Sequence, residues 1–161
     1  MSNKFEILMN QLDMPLEMRN SEAFLNAEIE KVLVHKVSRV WEFHFSFANI
    51  LPVEIFRELQ KRLAQEFSKT GNQAIFEIHC QAPQVSDELL QAYYQLAFEE
   101  GPCASHGFKS LYQDLRVHLD GDKLLIEGAS TIDTEHFRKN HLPNLSQQLV
   151  KYGFPRLTCQ V

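Results

Sequence analysis

Apolar and polar residues alternate most cleanly between Trp41 and Phe47. Trp41, Phe43, Phe45 and Phe47 fall on one side, and Glu42, His44 and Ser46 on the other. A period of two predicts a strand, and four aromatics on one face must be buried against something. Before it, Ile29 to Val37 reads as a first strand, joined to the second by a tight connection at Ser38-Arg39. After it, Phe56, Leu59, Leu63 and Phe67 recur at steps of three and four, which predicts an amphipathic helix. Pro52 fits its first position and Gly71 its C-terminal cap. Ala74, Phe76 and Ile78 then alternate with Ile75, Glu77 and His79 as a third strand.

The same order recurs downstream. Leu115, Val117 and Leu119 alternate with Arg116, His118 and Asp120, and Asp120-Gly121 marks a tight hairpin that returns through Leu124 and Ile126. A helix after Asp133 carries Phe137, Leu145 and Leu149, and Pro143 must kink or split it. Gly153 stops it, and Phe154 to Val161 reads as a closing strand. The expected fold class is α+β, with two ββαβ units joined by a helical segment. Residues 1–82 form the first unit, with a short amphipathic helix at residues 4–12 in front. Residues 83–161 form the second, which opens with a helix capped by Ser86 and carrying Leu89, Leu90, Tyr93, Leu96 and Ala97. Gly101-Pro102 ends that helix, and residues 103–112 are expected to form another.

Composition narrows the class. The chain has 161 residues, 44% of them hydrophobic and 23% charged, including twelve Phe. Those are the fractions of an ordinary globular protein with an aromatic-rich core. No apolar run approaches the roughly 18–20 residues that span a bilayer. Nor does the start show a secretory signal. Three widely spaced cysteines (Cys80, Cys103 and Cys159) suit a reducing, cytoplasmic setting. The formal charge of −5 opposes long-range attraction to a polyanion such as DNA.

The chemical inventory is thin. Four of the seven histidines, His35, His44, His79 and His118, fall in predicted strands at mostly polar positions, where solvent-facing or hydrogen-bonded histidines are the simplest reading. Cys103-Ala104-Ser105-His106 offers half of a zinc site or a thiolate–imidazole pair, but the other cysteines supply no matching ligands. His136 and His141, five apart, share no helical face. Asp120 and Asp122 flank a hairpin glycine and are explained by turn chemistry. Phosphate loops, nucleophile elbows and His-Glu-x-x-His are missing. The order of two strands, helix and strand resembles RNA-binding folds of the KH kind, yet the six glycines provide no Gly-x-x-Gly grip. No catalytic, cofactor-binding or metal residue is therefore assigned. Arg57, Lys61 and Arg62 lie away from the centre of the apolar stripe and are the candidate partner contact, the alternative being a solvated helix face.

The residues quoted also resemble a family. Val40-Trp41-Glu42-Phe43-His44-Phe45 with Glu54-Ile55-Phe56, Gly101-Pro102-Cys103-Ala104-Ser105 and Ile126-Glu127-Gly128 resemble the start of PolC-type DNA polymerase III alpha subunits of low-GC Gram-positive bacteria. So do Glu135-His136-Phe137, His141-Leu142-Pro143-Asn144-Leu145 and Tyr152-Gly153-Phe154. The likeness covers essentially the whole chain and is closest to streptococcal versions. It implies the amino-terminal region of a much longer polypeptide, a DNA-directed DNA polymerase with 3′→5′ exonuclease and divalent metal ions, whose catalytic residues all lie downstream. It further implies a truncated KH-like fold similar to the polymerase-binding domain of the clamp-loader tau subunit. The expected role is protein docking in the replisome, with tau, helicase or clamp-associated proteins as partners, and DNA met only through the parent polymerase. The alternatives are a single-stranded nucleic-acid grip and a structural brace for the parent.

Overall fold

The computed structural model describes residues 2–100, 112–127 and 142–160. The chain divides into two compact units, Met1–Pro83 and Gln84–Val161. The architecture is mixed α+β, with, among the described residues, two three-stranded sheets, five α-helices and one short 3-10 turn.

In the first unit, helix α1 (Asn3–Gln11) is capped by Ser2, whose hydroxyl accepts from the Phe5 amide. Helix α2 (Leu16–Arg19) and a 3-10 turn (Glu22–Phe24) lead to strand β1 (Glu28–His35). Strands β1 and β2 (Val40–Phe47) pair antiparallel, while β2 and β3 (Gln73–Cys80) pair parallel across helix α3 (Val53–Ser68). The helix is needed because parallel neighbours require a long crossover. It leaves β2 in the middle, in the order β1-β2-β3.

The aromatic side of β2 is the core. Phe43, Phe45 and Phe47 are buried, whereas Trp41 is only half-buried, leaning on Phe67 at a ring distance of 5.1 Å. Register places Ala74, Phe76, Ile78 and Cys80 of β3 on the same face. Two helical layers cover it from opposite ends. Phe5 of α1 meets Phe45 and Phe47 edge-on, and Phe56 and Phe67 of α3 meet Phe76 and Phe43. Each buried Phe contributes about 1.5–3 kcal/mol, so this face dominates the stability of the unit.

The second unit repeats the plan on a smaller scale. Helix α4 (Asp87–Glu99), capped by Ser86, precedes strands β4 (Val117–Asp120) and β5 (Lys123–Ile126), helix α5 (Leu142–Lys151) and strand β6 (Thr158–Gln160). Again the first pair is antiparallel, the second parallel, and the middle strand central. The turn at Gly121 has φ +63°, a left-handed value that favours glycine. Tyr93 of α4 packs on Tyr152 and Phe154, so in both units the leading helix belongs to the core.

Local boundaries differ from the sequence reading. The strand expected to run to Val37 stops at His35, because a four-residue turn at 36–39 places Arg39 at φ +58°. Pro52 stands one residue before α3, where its carbonyl accepts from the Phe56 amide. The closing strand is limited to Thr158–Gln160, since Phe154 and Leu157 are buried in the approach to it. Pro143 is the second residue of α5 as described, and the stretch before Leu142, where the kink or split was expected, lies outside the described residues. The expected helix at 103–112 lies outside the described residues except for Tyr112, as do Gly101-Pro102, Asp133 and Phe137.

Candidate docking surface

Helix α3 carries the three cations singled out in the sequence, and its packing separates them. Arg57 and Lys61, one turn apart, are exposed on one row. Arg62 is turned by a further residue toward α1. Its Nη1 donates to the Asp13 carbonyl at 2.6 Å and more weakly to that of Leu12, and its Nε donates to Glu58. The Arg62 guanidinium beside Glu58 in turn holds that carboxyl below its usual range. Asp13, at φ +54°, turns the chain out of α1, and Arg19 donates to the next carbonyl, that of Met14, at 2.7 Å. Arg62 thus braces a loop, while Arg57 and Lys61 face outward.

The other side of the first sheet is largely open and mixes charged residues with the exposed Leu33 and Ile75. Register aligns Lys31, His44 and Glu77 across the three strands, and Leu33, Glu42 and Ile75 in the next row. His44 lies between two carboxylates, with Nε2 2.6 Å from Glu42 and Nδ1 3.7 Å from Glu77. His35 approaches the second oxygen of Glu42 at 3.9 Å, and His79 Nδ1 lies 3.3 Å from Glu30. Each of these strand histidines is thus partnered by a carboxylate, in line with the hydrogen-bonded reading of the sequence. Among the described residues no group of three or more His, Cys, Asp or Glu is arranged to hold a metal ion. In the second unit His118 sits 3.2 Å from Glu127. Cys103, His106, His136 and His141 lie outside the described residues. Burial pushes the Cys80 thiol up to about 11, so it stays protonated at neutral pH and is a poor nucleophile.

Two polar side chains that sequence reasoning passed over have structural work in the second unit. Gln91 accepts from the Val117 amide at 2.8 Å and donates to the Leu115 carbonyl at 3.0 Å. Asp87 accepts from the Leu119 amide at 2.9 Å. Helix α4 thereby clasps the outer edge of β4, beside a shallow groove of about 400 Å³ lined by Glu88, Gln95 and Arg116. Asp87 and Gln91 occupy successive turns of one helix face, but that spacing alone names no partner.

No helix among the described residues is long and apolar enough to cross a membrane. Comparison with known proteins gives the setting. Residues 4–78 match the family model for DNA polymerase III polC-type N-terminus I, and residues 92–161 match that for N-terminus II. The chain is 98% identical over all 161 residues to DNA polymerase III PolC-type of Streptococcus sanguinis (strain SK36). It is 64% identical over its whole length to that of Streptococcus pneumoniae serotype 2, and 50% over 158 residues (98% of the chain) to that of Streptococcus pyogenes serotype M5. In each case it spans 11% of the relative's length. No solved structure matches. The chain belongs to the PolC-type DNA polymerase III family, of which it comprises the N-terminal regions I and II.

Proposed function

We propose that this region is a non-catalytic protein-docking module at the front of a cytoplasmic replicative polymerase. The parent polypeptide would carry DNA synthesis, 3′→5′ exonuclease activity and their divalent metal ions elsewhere. Tau, helicase or clamp-associated proteins are the partners of this reading, with Arg57 and Lys61, joined by Arg62, as the first face to probe. The likeness to a truncated KH fold and to the polymerase-binding domain of tau belongs to the same proposal, supported by the ββαβ order with a parallel third strand.

One observation carries docking over a single-stranded nucleic-acid grip. Three of the four aromatics that would stack on bases, Phe43, Phe45 and Phe47, are buried beneath α1 and α3, and the half-buried Trp41 leans on Phe67. The open face behind them presents Glu28, Glu42 and Glu77 beside Lys31, with Glu30 next to His79, and its excess of carboxylates opposes a phosphate backbone. The chain should be titrated against tau and against labelled single-stranded DNA, at low and physiological salt. Saturable tau binding without a DNA signal is the expected result. DNA binding that fades steeply with salt, with no protein binding, would overturn the reading. A parent polymerase that misfolds without this region, yet recruits partners normally when folded, would favour a structural brace.

A further inference from the structure

The two units treat the outer edge of their first strand differently. In the second unit, Asp87 and Gln91 occupy the amides of Leu119 and Val117. Strand β1 has no such cover. Among the described residues nothing is hydrogen-bonded to its outer edge, and only Ala27, just before it, receives a bond from the Ser2 amide. Seven of its eight residues are exposed, and the apolar middle is among them, with Val32 36%, Leu33 40% and Val34 45% exposed. An eight-residue edge of this kind is a template for strand addition.

Charge along β1 points to the occupant. Its beginning is acidic, at Glu28 and Glu30, and its end is basic, at His35 followed by Lys36. A strand added antiparallel meets the end of β1 with its own beginning. The best electrostatic match is therefore a strand that also runs from acidic through apolar to basic, and β1 itself has that pattern. The register shift between Ile29 and Lys31, together with Lys31 and Lys36, resists indiscriminate stacking of edges. It does not oppose one pairing in which each Lys36 end lies beside a Glu28–Glu30 end.

We propose that the outer edge of β1 is a self-association site, where a second copy of this chain adds its own β1 antiparallel to give a continuous six-stranded sheet. The contact is isologous, so the acidic and basic ends meet twice about the two-fold axis and the assembly closes at two copies. This goes beyond the docking role and does not depend on it. A single strand pair is a small interface, so the dimer should be weak and appear at about 100 µM or above.

Sedimentation equilibrium of the 161-residue chain is the test. The expected result is a mass that doubles from 18.7 kDa with rising concentration, together with concentration-dependent amide protection confined to β1. Glu28→Lys with Glu30→Lys makes the edge wholly basic, and Lys31→Glu with Lys36→Glu makes it acidic. Each variant alone should stay monomeric, and an equimolar mixture should recover the dimer. Circular dichroism checks that both variants are folded. Substituting these exposed positions leaves the core in place, and a second basic version, Glu28→Lys alone, covers failure of the double variant. A wild-type chain that stays monomeric at millimolar concentration would overturn the proposal. So would a dimer insensitive to the charge changes, or an edge that takes up only a different extended peptide.

Discussion

Arg62 shares a helix with Arg57 and Lys61, yet its guanidinium is spent on the carbonyls of Leu12 and Asp13 and on Glu58. Arg62→Ala should therefore cost about 0.5–1.5 kcal/mol, read by urea unfolding, because water can take over the exposed Asp13 carbonyl and only the net worth of the hydrogen bonds is lost. Lys61→Ala, on the exposed row, should change stability little, within about 0.5 kcal/mol. Any loss of partner binding in Lys61→Ala then reports on the surface rather than the fold. Cys80 makes a separate prediction. Its folded pKa of about 11 stands above that of an ordinary thiol because burial disfavours the thiolate. Below pH about 9 both folded and unfolded chains keep the proton. As pH rises from there toward 11 the unfolded chain loses its proton first, so stability falls. Denaturant titrations at pH 8 and 10.5 should show that decline in the wild type and less of it in Cys80→Ala.

At the scale of elements, the two sheets share an order but manage their edges by different means. Helix α4 reaches β4 with side chains, and Gln91 alone satisfies one amide and one carbonyl. Gln91→Ala should destabilise the second unit by about 1–3 kcal/mol and speed hydrogen exchange at Val117, an outcome that amide exchange followed by NMR would read directly. Helix α3 illustrates what periodicity can and cannot say. Its buried residues Ile55, Phe56, Leu59 and Leu63 follow from steps of three and four, and Gly71 at φ +74° ends it as expected. The same spacing puts Arg62 off the stripe without saying that a loop some fifty residues earlier would come to meet it.

For the whole molecule, the division into Met1–Pro83 and Gln84–Val161 leads to an expectation about folding. Residues 1–83 expressed alone should keep a cooperative thermal transition and the near-ultraviolet signal of Trp41 packed on Phe67, because the Phe5–Phe45–Phe76 core is contributed wholly by that stretch. Loss of both signals in the isolated fragment would mean that its stability is borrowed. Alternation and helical period, which act between near neighbours, were enough by themselves to determine the α+β class, the twice-repeated hairpin, helix and strand, and the aromatic side of β2 as core. The likeness of scattered residues was enough to determine the family. What only the tertiary structure decided depends on residues far apart in the chain. It placed β2 and β5 at the centre of their sheets, drew His44 between Glu42 and Glu77, and turned Arg62 inward. It also clasped the edge of β4, whereas among the described residues nothing bonds to the outer edge of β1. Register and helix docking set those contacts, and a local pattern encodes which face is apolar but not which distant strand or loop will lie beside it.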